Sequence, residues 1–216
     1  MHPVSGMLDL YTWHTPNGRK PAILLAELEV PYEVHLVDLA QGEQKRPEYL
    51  ELNPNGKIPA LVDTDSQLGR VVAFESGAIL VHLAEKFGRF LPRALGAKRA
   101  EILSWVFWQV GGPGPMFGKV EKYRGEEPRN EAAFADFFAE TRRLVSVLDE
   151  RLADREFICE GYSIADIACY PWFEALAENV PEALEGANEV RAWLQRVGAR
   201  PAVKRGMHLE QARHAA

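Results

Sequence analysis

The segment Leu8-Asp9-Leu10-Tyr11-Thr12-Trp13-His14-Thr15-Pro16-Asn17-Gly18 constrains this chain more than any other. Apolar and polar residues alternate from Leu8 to Thr12, the period of a half-buried strand. The run then meets a turn and passes into a segment carrying Ile23, Leu24, Ala26 and Leu28 at helical spacing. A strand, a loop and a helix in that order bring a helix N-terminus to the end of a sheet. Its backbone N–H groups and the positive end of its dipole favour an anion there. The Thr15 hydroxyl and the Asn17 amide can donate to the same anion. Proline is tolerated in the first turn of a helix and not in its interior. Pro21 therefore sets the expected start of regular helix at about Gly18, with Thr15 and Asn17 in the loop before it.

Further along, Tyr32 to Val37 alternates and is rich in β-formers, which predicts a second strand. A short helix is expected from about Pro47. Asn53-Pro54-Asn55-Gly56-Lys57 is a turn-forming cluster leading into a strand at Ile58 to Val62. Val71 to Phe74 reads as another strand, joined to the last by a hairpin loop within Asp63 to Arg70. Glu75 to Lys86 is helical, with Ile79, Leu80 and Leu83 in one stripe. The order β-α-β-α-β-β-α ends near Gly88.

The second half has no convincing strand. Arg99 to Val110, Asn130 to Leu152, Ser163 to Ala177 and Glu189 to Val197 have helical periodicity, and Gly111-Gly112-Pro113-Gly114-Pro115 interrupts or bends the first of these. Two domains are expected, a mixed α/β one over residues 7–88 and an all-helical one over residues 98–216, with residues 1–6 as a short extension.

The 216 residues are 47% hydrophobic and 26% charged, and no apolar run approaches a membrane span. A formal net charge of −6 argues against nucleic acid as the main partner. The start of the chain lacks the pattern of a secretory signal, so a cytoplasmic protein is expected. Cys159 and Cys169 then read as buried thiols. The six histidines show no metal-ligand spacing, and no metal is expected.

Three further motifs bear on chemistry. Ile58-Pro59 opens a strand directly beside the first loop, though an isolated X-Pro bond is usually trans. Glu75-Ser76-Gly77 opens a helix, which by itself is ordinary capping worth about 1 kcal/mol. The same atoms could hold a ligand carrying a carboxylate and an ammonium on one carbon. Ser163-Ile164-Ala165-Asp166 is a capping box in acidic form and reads as structural, and Pro171 falls inside the helix that it opens. The first loop carries no cysteine, so thiol chemistry there needs a thiol brought by a ligand.

Together these segments resemble the glutathione transferase superfamily, a thioredoxin-like α/β N-terminal domain followed by an all-α C-terminal domain. The resemblance runs from Met7 to about Gln211. It is greatest to the bacterial nu-class glutathione-dependent disulfide-bond oxidoreductases. It rests on Thr15-Pro16-Asn17-Gly18, Val37-Asp38-Leu39 through Pro47-Glu48, Asn53 to Ala60, Phe74 to Leu80, Trp105 to Met116, and Tyr162 to Ala168. It implies that Thr15 and Asn17 flank the glutathione sulfur and that Pro59 is cis. Ile58 would pair its backbone with the cysteinyl part of glutathione. Glu75 and Ser76 would hold the γ-glutamyl end, and Gln44 and Lys57 the glycyl side. One or two glutathiones, or glutathione disulfide, would bind in a homodimer.

The implied activity is glutathione-dependent disulfide reduction. The alternatives are conjugation of glutathione to a hydrophobic electrophile, in a pocket of Trp105, Trp108, Met116, Phe117 and Tyr123, or non-catalytic glutathione binding. These aromatics also suit a plain core or an interface. One position departs from the family pattern: Asp136 stands where these relatives tend to carry an arginine that reaches glutathione. An acid cannot hold a carboxylate there. Lys122, Arg124 or Arg129 would have to substitute, or a second glutathione would bind weakly.

Overall fold

The structure, a computed structural model, describes residues 8–64 and 69–209. The hairpin loop expected between Asp63 and Arg70 falls partly outside these, as do Met7 and the expected extension before it.

The chain divides into two compact units, residues 90–199 forming one and the flanking segments the other. The first unit holds a four-stranded sheet in the order β2-β1-β3-β4, made of β1 (Leu8–Thr12), β2 (Glu33–Leu36), β3 (Ala60–Asp63) and β4 (Val71–Phe74). β1 runs parallel to β2 and antiparallel to β3, and β3 is antiparallel to β4. With α1 (Pro16–Leu28), α2 (Pro47–Leu50) and α3 (Ser76–Phe87) this is the expected thioredoxin-like arrangement. Its core is built from fully buried Leu8, Leu10, Ile23, Leu24, Leu25, Leu61, Ile79, Leu80 and Leu83. Each such side chain contributes roughly 1.5–3 kcal/mol.

β3 begins at Ala60, two residues later than its sequence pattern predicts. Pro59 has no N–H to give to a ladder, so regular pairing starts after it. A buried charge cluster ties α3 to the sheet. Asp63, wholly buried at the end of β3, accepts from Lys86 Nζ at 2.6 and 2.7 Å and contacts His82 Nε2 at 3.0 Å. Removing one partner of such a group costs about 3–5 kcal/mol.

α1 begins two residues earlier than expected. Pro16 occupies its first position, where a fixed φ and a missing N–H are both acceptable, and Thr15 is its N-cap in an extended conformation. Asn17 therefore lies in the first turn and not in the loop. Pro21 is accommodated inside the helix, where it has no N–H to give to the carbonyl of Asn17 four residues back.

The second unit contains α4 (Ala97–Gly111), α5 (Pro113–Arg124), α6 (Glu131–Leu152), α7 (Ile164–Asn179) and α8 (Asn188–Gly198). The glycine-proline cluster ends α4 at Gly111, and Gly112, at φ −113° and ψ −84°, separates it from α5. Pro113 and Pro115 then sit in the first turn of α5, where proline is tolerated. The acidic capping box is present at the start of α7. Asp166 accepts from the backbone N–H of Ser163 at 3.0 Å, and it also takes the Ile158 N–H and Trp193 Nε1–H, each at 3.0 Å.

The last described helix, α9 (Pro201–Met207), differs from the expected division. The helical domain was expected to run to residue 216, but α9 belongs by its contacts to the first unit. A Cβ added at Gly206 would lie 2.4 Å from the Ile23 Cα, so glycine is what lets α9 approach α1 this closely. A paired contact of Arg200 with Glu27, at 2.7 and 3.0 Å, holds the same two helices. Among the described residues, no helix is long and apolar enough to cross a membrane.

Candidate functional site

The sheet register decides which loops share an end of the first unit. His35 pairs with Tyr11, Tyr11 with Ala60, and Ala60 with Phe74. These four positions form one row across the strands. The loop after β1, the segment after β2, the turn before β3 and the loop after β4 therefore emerge together. Thr15 and Asn17, Gln44, Lys57-Ile58-Pro59, and Glu75-Ser76 all lie on those segments.

Thr15 Oγ1 accepts the N–H of Gly18 at 3.2 Å. The oxygen that caps the helix still carries its own hydrogen, which it can give to an incoming anion. Gly18 is required: an added Cβ would sit 2.1 Å from the Trp13 carbonyl oxygen and 2.5 Å from Thr12 Oγ1. Thr12 in turn donates to the Gly18 carbonyl at 2.9 Å and locks the loop to the end of β1. α1 has no acidic residue at its cap or in its first turn, so its positive end is not offset there, whereas α3 opens on the carboxylate of its N-cap Glu75.

Ile58-Pro59 is cis, as the resemblance implies. The turn before it is clamped from α2 and its surroundings. Tyr49 Oη and Asn53 Nδ2 both donate to the Lys57 carbonyl, at 2.7 and 2.6 Å, and Lys45 Nζ donates to the Gly56 carbonyl at 2.9 Å. Ile58 packs on the cluster of Val37, Tyr49 and Ala60. Burial pushes the Tyr49 phenol well above its ordinary pKa, so it stays a donor.

Glu75 holds φ 70° and ψ 119°, a region that few non-glycine residues occupy. Its side chain is exposed, and Ser76 behind it is buried. Ser76 Oγ lies 3.5 Å from Asn17 Oδ1 and 3.3 Å from Lys20 Nζ. The N-termini of α1 and α3 are thereby joined side chain to side chain. Gln44, on the 3₁₀ turn Glu43–Lys45, has a buried Oε1 without a hydrogen-bond partner among the described residues. Lys57 is exposed.

Lys20, Tyr49 and Lys45 were not singled out by sequence, and Asn53 was read only as part of a turn. Lys20 offered one signal: it lies three and four residues before the apolar Ile23 and Leu24, where a charge is out of place.

The aromatic residues considered for an electrophile pocket belong to the second unit. Trp105 and Trp108 pack edge to face at 4.9 Å, Trp108 stacks with Phe173 at 6.5 Å, and Phe117 meets Phe173 at 5.0 Å. Phe117 is buried in the core. Met116 is half-buried. Tyr123 stacks instead on Phe137 at 5.3 Å. The ring contacts do not join the five in one cluster: Trp108 and Phe117 meet at Phe173, Trp105 packs on Trp108, and Tyr123 has a different partner.

Asp136 is exposed on α6. The basic residues considered in its place are engaged locally. Lys122 lies 3.9 Å from Glu126, Arg124 pairs with Glu182, and Arg129 contacts Glu131 at 2.8 Å. Both cysteines are buried in the second unit, and Cys159 is pushed up to about 12 by burial, with Glu101 and Asp166 adding to the shift. No group of three metal-ligating side chains occurs among the described residues.

The first unit thus has a thioredoxin-like sheet whose first helix opens on Thr-Pro-Asn-Gly with no cysteine, and the second is all-helical. Residues 14–86 match the family Glutathione S-transferase, N-terminal domain, and residues 101–201 match Glutathione S-transferase, C-terminal domain. The chain belongs to the glutathione S-transferase family. It is 44% identical over 201 residues to the disulfide-bond oxidoreductase YfcG of Escherichia coli, covering 91% of this chain and 92% of that one. It is 42% identical to the disulfide-bond oxidoreductase YghU of the same organism, covering 92% of this chain and 73% of that one. Among solved structures, a Pseudomonas fluorescens family member with two glutathiones bound superposes with TM-score 0.88 at 40% identity, over 93% of this chain and 92% of that one. A Pseudomonas putida glutathione transferase with one glutathione disulfide per subunit gives TM-score 0.90 at 38% identity, over 96% and 93%.

Proposed function

We propose that this protein is a cytoplasmic, homodimeric glutathione-dependent disulfide-bond reductase whose site is the loop-bearing end of the first unit's sheet. The observation that carries the reading is the row Tyr11–Ala60–Phe74 together with the absence of a cysteine from the loops it gathers. The site has donors for a thiolate and no thiol of its own.

The residues suit glutathione. The buried Gln44 Oε1 calls for an N–H donor, which the peptide's amides provide, and the exposed Lys57 ammonium suits its glycyl carboxylate. Glu75 and the Ser76 N–H suit the ammonium and carboxylate of the γ-glutamyl end, and the Ile58 backbone suits the cysteinyl amide. Bound glutathione supplies a thiolate that attacks one sulfur of a disulfide and expels the other as a thiolate. A second glutathione thiolate attacks the glutathione sulfur of the mixed disulfide, forming glutathione disulfide and expelling the second substrate thiolate.

The protein's part is electrostatic. Thr15 donates its hydroxyl hydrogen, Asn17 its amide, and α1 its uncompensated dipole, all toward the position of the sulfur. Each favours thiolate over thiol and lowers the thiol pKa. The exposed Phe107 on α4 and Phe74 on β4, at 67% and 39%, are large apolar groups consistent with a subunit interface.

Assays of the purified protein with glutathione and either 2-hydroxyethyl disulfide or 1-chloro-2,4-dinitrobenzene test the reading. Disulfide turnover well above conjugation is expected. Conjugation alone would make the protein a transferase, and tight binding without either turnover would make it a glutathione-binding protein.

A further inference from the structure

Lys20 is 1% exposed, and its Nζ lies 3.3 Å from Ser76 Oγ. An ammonium has three donors and no acceptor, so the serine oxygen accepts in this contact. The single Ser76 hydrogen points elsewhere, and Asn17 Oδ1 stands 3.5 Å from the same oxygen. An amide that accepts through Oδ1 turns its Nδ2 donor to the other branch. The direction of the whole chain, from Lys20 to Ser76 to Asn17, follows from the ammonium at its buried end. Both contacts are long, and such bonds tighten in the ligand complex.

Burying an ammonium is costly, and an apolar residue would serve packing better beside Leu24 and Ile23. Its location gives the charge a use. It lies where α1 and α3 begin, with no acid in the first turn of either and with Glu75 at the N-cap of α3. In this low-dielectric position its field is weakly screened.

We propose that Lys20 is a positioning residue of the site: through the Ser76 hydroxyl its buried ammonium orients the Asn17 amide with Nδ2 toward the bound sulfur. It also adds its positive charge to the two helix N-termini. This inference rests on reading this end of the sheet as a glutathione site. One consequence concerns Ser76. With its hydroxyl hydrogen turned toward Asn17 Oδ1, its backbone N–H remains available for the γ-glutamyl carboxylate.

The test uses the whole protein with Lys20→Met, which keeps the length of the stem and removes the charge, a change that buried sites commonly tolerate. Three quantities are compared with wild type at saturating glutathione and neutral pH: the thiolate absorbance near 240 nm, kcat for 2-hydroxyethyl disulfide, and calorimetric Kd values for glutathione and S-methylglutathione. Lys20→Met should lower both the thiolate signal and kcat by about tenfold, the scale of one hydrogen bond to a charged group. The Kd for S-methylglutathione, which has no thiol to ionise, should change less than threefold, on the order of the ordinary context variation in one contact. Lys20→Arg should recover part of the signal. Ser76→Ala interrupts the same path and should reproduce the loss, which covers the case in which Lys20→Met does not fold. Wild-type thiolate absorbance and kcat in folded Lys20→Met or in Ser76→Ala would overturn the proposal. So would equal weakening of both ligands with the thiolate signal per bound glutathione unchanged. A wild-type protein that binds no glutathione would overturn the underlying reading instead.

Discussion

Tyr49 Oη donates to the Lys57 carbonyl at 2.7 Å, and that oxygen belongs to the peptide whose N–H is carried by Ile58. The clamp on one side of the peptide plane therefore orients the hydrogen on the other. Asn53 Nδ2 donates to the same oxygen at 2.6 Å. Tyr49→Phe removes one of two donors and should lower stability by about 1 kcal/mol. Glutathione affinity should fall several-fold with little change in kcat at saturation. Isothermal titration beside steady-state kinetics checks this, and an unchanged Kd would show that the clamp serves only the turn.

Thr15 caps α1 through the oxygen whose hydrogen faces the proposed sulfur. Thr15→Ala should cost about 1 kcal/mol through loss of the cap. It should also lower disulfide turnover more than glutathione binding, whereas Thr15→Ser keeps both the cap and the donor. Asn17→Ala should show the same division between turnover and binding. Equal losses in both would mean that these residues hold the tripeptide without activating its sulfur.

Asp166 carries a pH signature. Burial raises its pKa and outweighs the lowering effect of the N–H donors from Ile158, Trp193 and Ser163. A carboxyl whose folded pKa is raised contributes stability below its unfolded pKa, and that contribution fades as pH climbs toward the folded value. Asp166→Asn does not titrate, and it presents an NH₂ group where one carboxylate oxygen took an N–H. The variant should be less stable by about 2–3 kcal/mol near pH 4, and the deficit should narrow as pH rises. Denaturant melts across the pH range follow the gap, and a deficit that widens with pH would contradict the assignment.

The two cysteines should be silent in the native protein. Cys159 is pushed up to about 12 by burial, and Cys169 is fully buried. A thiol so shifted is almost entirely protonated at pH 8. Iodoacetamide or a colorimetric disulfide should label neither in folded protein and both after denaturation. Reduction of 2-hydroxyethyl disulfide should survive replacement of both cysteines by serine or alanine, because the proposed mechanism draws its sulfur from glutathione.

What could be read from sequence follows from how local each feature is. β1 was legible from its apolar and polar alternation, and β4 as a short apolar run ahead of a helix start. The capping box at Ser163 is a four-residue pattern and needs no tertiary information. The start of α1 was misplaced because Pro21 was treated as a first-turn residue, while Pro16 and the Thr15 cap set the boundary. α9 went unread because Pro201–Met207 is short and its buried residues, Ala202, Val203 and Gly206, are small. Its partner Ile23 lies far away in the chain. Lys20 escaped for the opposite reason. Charge in a helix is ordinarily read as surface, and only the position of Ser76 reveals what the ammonium meets.

The closeness of Gly206 to Ile23 has a consequence for how the protein is made. α1 leaves the ribosome early, with β2, β3, β4 and α3 soon after it, but the helix that covers its outer face follows only when residues 90–199 have been synthesised. During that interval the nascent first unit carries the bare strip around Ile23 and the unanswered carboxylate of Glu27. Until α9 is made, that apolar strip stays open to solvent.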